Sequence, residues 1–109
     1  MEMKSARALV DEYLKARFPS QELMIRDHLT IEFDGGWLFV YNSAAFVRTG
    51  DRMHTLFGNA PIIVSKSGRL TVTGTSHPRE SFLEAYCALG ADRFEAGEWQ
   101  DWIAQRRRT

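Results

Sequence analysis

The sequence predicts a small α+β protein, with a mainly antiparallel four-stranded sheet covered by helices from the N-terminal and C-terminal ends of the chain. Three observations carry that expectation. Apolar residues recur at helical spacing near both ends, they alternate or run unbroken through the middle, and short turn signals join the middle segments in pairs. Short turns force neighbouring strands to run antiparallel, and a helix with one apolar face must bury it against a sheet or another helix.

Residues 4–18 place Ala6, Leu9, Val10, Tyr13, Leu14 and Phe18 at i, i+3, i+4 and i+7 spacing, one stripe of an amphipathic helix. Lys4, Arg7, Asp11, Glu12 and Lys15 take the wet side, and Pro19 stops the helix. From Leu23 the apolar residues Leu23, Ile25, Leu29, Ile31 and Phe33 fall on odd positions, which predicts one half-buried strand bent at Asp27-His28. Asp34-Gly35-Gly36 reads as a three-residue turn with glycines suited to positive φ, pairing Phe33 with Trp37 so that both share one face. Trp37–Tyr41 is apolar on both parities and reads as a central strand.

Residues 42–60 keep no clean period. Ala44, Ala45, Phe46 and Val47 suit a short helical turn or an irregular strand, whereas Gly50, Asp51, Gly58 and Asn59 suit loop. Ile62–Val64 and Leu70–Val72 then flank Ser65-Lys66-Ser67-Gly68, a hairpin whose type I turn closes on a left-handed glycine. Pro78 suits the first position of a helix, with His77 as its cap, Glu80 reaching back and Gly90 ending it. The stripe Phe82, Leu83, Tyr86 and Leu89 is that helix's buried face. Trp99, Trp102 and Ile103 mark a last helix that docks its stripe and ends in Arg106-Arg107-Arg108, where cations favour a helix C-terminus. Residues 1–109 read as a single domain, with 91–109 a helical extension.

Charge narrows the functional classes. Lys+Arg and Asp+Glu number 14 each, so no basic footprint argues for nucleic acid. No apolar run approaches the ~20 residues that a spanning helix needs, and the first residues lack the apolar centre of a signal peptide. A single cysteine excludes an internal disulfide and fits a reducing, cytoplasmic setting.

Chemistry-bearing motifs are sparse. Gly68 is followed by Arg-Leu and another strand, so the glycines around it do not form a phosphate-binding loop. His28, His54 and His77 lie on different elements without metal-ligand spacing, and no cofactor motif is present. Cys87 beside an apolar stripe reads as a small buried hydrophobe. Among the acids, Glu32 fits a polar strand face and Asp34 a turn, which leaves Asp27 and Asp51 without a local structural duty. An acid–base enzyme would have to use Asp27, Asp51 or His77.

The ordered set Gly36-Trp37, Gly50-Asp51, Gly58-Asn59-Ala60-Pro61, Gly68, Thr73-Gly74-Thr75 and Pro78-x-Glu80 resembles the immunity protein 35 (YrhB-like) family of bacteria. The resemblance covers about residues 6–87, and the C-terminal extension falls outside it. It implies a small α+β protein without catalytic residues that binds and neutralises a cognate protein toxin in the producing cell. A chaperone-like binder of unfolded chains and a small enzyme are the rival classes. The residues expected at a partner surface are Arg48, Asp51, Arg52 and His54 in the central loop, with Trp99 added if its helix does not dock. Oligomeric state stays open.

Overall fold

The computed structural model of the chain describes residues 1–108 and is α+β. The extension's final residue, Thr109, and the Arg108 side chain lie outside the described set. Two compact units divide at Thr73–Gly74.

The first unit opens with helix α1 (Met3–Arg17), whose Ala6, Val10 and Leu14 are buried. Its strands are β1 (Leu23–Ile25), β2 (Ile31–Phe33), β3 (Gly36–Phe39), β4 (Tyr41–Ser43), β5 (Ile62–Ser65) and β6 (Leu70–Val72). They form a four-stranded antiparallel sheet in the order β2-β3-β5-β6 and a separate two-stranded pair, β1-β4. Trp37, Phe39, Ile62 and Val64 meet the α1 stripe in one apolar cluster, joined by Ile25 and Tyr41. The opposite parity is buried too, at Leu38, Ile63 and Thr71. Lys66 caps this packing at the sheet's end: its Nζ sits 4.2 Å from the centre of the Trp37 ring and 3.0 Å from Glu32.

Three sequence expectations are corrected here. The strand expected over Leu23–Phe33 is broken, not bent, by a 3-10 turn at Asp27–Leu29. The register of β1-β4 is displaced by three residues from that of β2-β3, and the three residues of that turn absorb the difference. Asp27 has a structural duty, because its carboxylate accepts from Arg7 Nε at 2.8 Å and Nη2 at 3.2 Å and so ties the turn to α1. That bond raises the Arg7 pKa above its usual value. The apolar run Trp37–Tyr41 likewise divides at Val40, whose carbonyl accepts from the Arg26 amide at 2.7 Å, so its two ends serve different sheets.

The third correction concerns register. The turn after β2 has two residues, Asp34-Gly35, so Phe33 pairs with Gly36, Glu32 with Trp37 and Ile31 with Leu38. Phe33 and Trp37 therefore point to opposite faces. Parity could not decide this, because β3 is buried at every position and either register puts apolar residues inside. Gly36 decides it. A Cβ there would lie 2.1 Å from the Val64 carbonyl oxygen and 2.8 Å from Ser65 Cα, so a glycine is needed within the strand, against β5. Neither Gly35 nor Gly36 has positive φ. The β5-β6 turn follows expectation, with Gly68 at φ 93° and its amide donating to Ser65 O at 2.9 Å.

The second unit holds α3 (Arg79–Leu89), α4 (Ala91–Glu95) and α5 (Trp99–Arg108). Its core joins Phe82, Ala85, Tyr86, Phe94 and Ile103. The short α4 was not expected from sequence. It brings Phe94 within 5.8–6.3 Å of Tyr86, Trp99 and Phe82.

Gly36→Ala should lower stability by about 1–3 kcal/mol or more, since the clash is with backbone that cannot rotate away. Gly35→Ala should cost less, because its Cβ would meet only the movable Phe33 ring edge at 2.9 Å. Thermal unfolding of both variants side by side checks this; equal losses would remove the special status of Gly36.

Candidate functional site

Residues 42–60 form a hydrogen-bonded loop that leaves the end of β4. Ser43 caps helix α2 (Ala44–Thr49) by accepting from the Phe46 amide at 3.1 Å, and its hydroxyl donates to the His54 carbonyl. Asp51 caps a 3-10 turn at Arg52–His54 by accepting from the Met53 amide at 2.9 Å. Asp51 thus has the local duty that sequence did not reveal.

The loop's return is held by Asn42, which is only 8% exposed. Its Oδ1 accepts from the Ser43 amide at 2.8 Å and the Leu56 amide at 2.9 Å, while Nδ2 donates to the Leu56 carbonyl at 3.3 Å. Asn59 Nδ2 donates to the same carbonyl at 2.9 Å. A buried side-chain amide needs such partners, and here it finds them across fourteen residues of chain. Sequence reasoning passed over Asn42. The available signal was an Asn-Ser pair at the end of an apolar run, where both side chains can replace strand hydrogen bonds.

On the outside of this frame stand Arg48, Asp51, Arg52 and His54, all exposed. Arg48 pairs with Glu22 at 3.0 Å, an exposed pair of little energetic weight. Arg52 makes no ion pair among the described residues. Sequence reasoning also missed two loop residues, Met53 and Phe57, which are 88% and 89% exposed. They are the most exposed large apolar side chains described, and the polar loop around them hid them from any periodicity test.

The remaining candidates are placed elsewhere. Asp27 belongs to the 3-10 turn bonded to α1. His77 lies in the second unit and is not the helix cap: Pro78 occupies that position, its carbonyl accepting the first helical bonds. The helix starts one residue later than expected, so His77 precedes the cap and packs its ring 5.8 Å from Phe82, a staple between the residue before the cap and the fourth helical residue. Glu80 then sits at the second helical position, out of capping-box register. Trp99 docks, 5.0 Å from Phe82 and 6.1 Å from His77. Cys87 is exposed, not buried. It follows Tyr86 by one residue, about 100° around the helix from the buried stripe. It lines a shallow groove with Leu83, Trp102 and Arg106. Among the described residues no group of three or more His, Cys, Asp or Glu could hold a metal ion.

A family model described as Immunity protein 35 matches residues 4–88. A stretch of 55 residues is 42% identical to a protein of Escherichia coli (strain K12) described as "Uncharacterized protein YrhB". That stretch is 50% of this chain and 58% of the relative, so the match spans less than two thirds of the relative's length. No solved structure matches.

Asn42→Ala should destabilise the protein by about 1–3 kcal/mol, because it leaves the Ser43 and Leu56 amides without their partner, while the Leu56 carbonyl keeps Asn59. Amide hydrogen exchange at Leu56 and its neighbours should accelerate while the β3-β5 amides stay protected. Uniform acceleration would mean that Asn42 supports the whole unit and not the loop.

Proposed function

The chain belongs to the immunity protein 35 family, and on that premise we propose that it binds a cognate toxin domain and neutralises it in the cytoplasm of the bacterium that makes both. The observation that supports this reading best is the loop at 50–58. It holds Met53 and Phe57 almost fully in solvent on a frame of internal hydrogen bonds. Exposing two large apolar side chains costs solvation, and interfaces use such residues as anchors. Arg52 and His54 flank Met53 in the chain, Arg48 stands exposed on the preceding helix, and arginine is enriched at interfaces. The contact is therefore mixed, with apolar anchors in a polar rim, in a chain whose formal charge is zero.

Neutralisation by binding needs no catalytic group. The three acid–base candidates Asp27, Asp51 and His77 each have a structural duty: an ion pair, a cap and an aromatic packing contact. No helix described is long and apolar enough to cross a membrane. A second reading, a chaperone-like binder of unfolded chains, also draws on the exposed Met53 and Phe57, since apolar side chains on a surface can hold unfolded clients.

Co-expression with the toxin domain encoded beside this protein is the test. Growth rescue and co-purification should appear together. Phe57→Ala should weaken the complex by about 2 kcal/mol or more. Arg48→Glu with Arg52→Glu should abolish rescue without changing the melting temperature. Rescue without a complex would point to an enzymatic antidote, and protection of several unrelated unfolded proteins from aggregation, lost with Phe57→Ala, would favour the chaperone reading.

A further inference from the structure

A cavity of about 200 Å³ opens at the foot of the same loop, between the end of α1, the β1-β4 pair and residues 56–59. Phe18, Leu23 and Leu56 give it apolar walls, and Gln21 and Tyr41 bring polar groups to it. Small-molecule sites usually measure roughly 300–1,000 Å³, so this space suits one side chain better than a metabolite.

Tyr41 makes the cavity more than a surface dimple. The residue is only 7% exposed, and its hydroxyl makes no hydrogen bond among the described residues and is not sealed from solvent, so an occupant can reach it. Burial pushes the Tyr41 pKa up, with a further push from Tyr13 that outweighs the opposing pull of Arg17, so at neutral pH the hydroxyl keeps its proton and can donate it.

The electrostatic sign of the cavity is set by what surrounds it. None of its lining residues carries a carboxylate. The guanidinium of Arg17 lies 5.1 Å from the centre of the Phe18 ring that forms one wall. The nearest acid in sequence, Glu22, is engaged by Arg48 at 3.0 Å. The cavity thus offers donors to an occupant, has a cation beside one wall, and carries no negative charge on its lining side chains.

We propose that this cavity seats one acidic side chain of the toxin, its carboxylate accepting from the Tyr41 hydroxyl and the Gln21 amide while Phe57 closes over its methylene stem. This rests on the toxin-binding reading and gives it a chemistry: the partner presents an isolated carboxylate beside an apolar surface that receives Phe57 and Met53. A side chain entering a pocket next to two protruding anchors gives an interlocked contact, the arrangement in which single residues dominate binding. Burying a carboxylate is tolerable only where donors and positive charge await it; Tyr41 and Gln21 supply the donors, and Arg17 beside the Phe18 wall the charge.

The test measures affinity for the purified toxin domain of the wild type, Tyr41→Phe, Gln21→Glu and Gln21→Lys. Tyr41→Phe removes one oxygen and keeps the packed ring, and affinity should fall by about tenfold or more, the loss expected when a charged acceptor loses a donor. Gln21 is exposed, so both of its variants should fold. Gln21→Glu should weaken binding by a similar factor through repulsion, and Gln21→Lys should bind at least as tightly as the wild type. Wild-type affinity in both Tyr41→Phe and Gln21→Glu would overturn the acidic occupant while leaving toxin binding intact. Tighter binding by Gln21→Glu than by Gln21→Lys would overturn it in favour of a basic one. No complex with the wild-type protein would overturn the toxin-binding reading, and this proposal with it. If Tyr41→Phe melts early, the order of the two Gln21 variants decides alone.

Discussion

The first unit depends on the pairing of β3 with β5. Trp37 opposite Val64, Leu38 opposite Ile63 and Phe39 opposite Ile62 are buried on both parities, so this pair of strands forms the middle of the core. It forms at close range only because Gly36 lets the β5 backbone approach to where a side chain would begin. Everything else hangs from it. β2 and β6 add at its edges, α1 covers the Trp37 face, and the continuation of β3 through Val40 carries Tyr41 and Asn42 outward. Successive strand residues point to opposite sides, so one extended segment sends Tyr41 into the packed side and Asn42 into the loop. The cavity and the loop are thus positioned by neighbouring residues of one strand, itself rooted in the core.

How much of this could be read from sequence depended on whether a pattern had one solution. The α1 stripe had one, since Ala6, Val10 and Leu14 could bury together only as a helix, and they do. The Ser65–Gly68 turn had one as well. The β2-β3 register had two, because a strand apolar on both sides satisfies either pairing, and the choice came from a backbone contact that no periodicity encodes. The 3-10 break at Asp27 was hidden because Leu23, Ile25, Ile31 and Phe33 keep their parity across it. At Pro78 the signal was real but displaced by one residue: Pro78 stands as the cap, and that single step turned His77 from a cap into a packing residue. The loop's charged residues were legible as exposed. Met53 and Phe57 were not, because an apolar residue in an aperiodic segment gives no sign of which way it faces.

The match to the immunity protein 35 family ends at residue 88, one residue before α3 ends. Helices α4 and α5 lie beyond it, although their Phe94, Trp99 and Ile103 pack with Phe82 and Tyr86 of the matched helix. A stripe left without these partners would expose Phe82 and Tyr86, two aromatic rings that are now 0% and 6% exposed. The extension therefore serves as the packing partner of α3, which accounts for Phe94, Trp99 and Ile103.

The loop's construction lets its exposed side chains change while its scaffold does not. Each bond that shapes it ends on main-chain atoms: Asn42 on the amide and carbonyl of Leu56, Ser43 on the carbonyl of His54, Asp51 on the amide of Met53. None of them reads the side chain of the residue it holds. Met53, His54 and Phe57 can be exchanged for almost any residue without removing a hydrogen bond from the frame, and Arg52 adds no partner to it. An apolar loop core would behave differently, because every substitution there would alter volume and packing. Fixing the backbone through polar side chains separates the residues that determine the loop's shape from those that face solvent. That separation leaves 52, 53, 54 and 57 free to vary while Asn42, Ser43 and Asp51 maintain the platform.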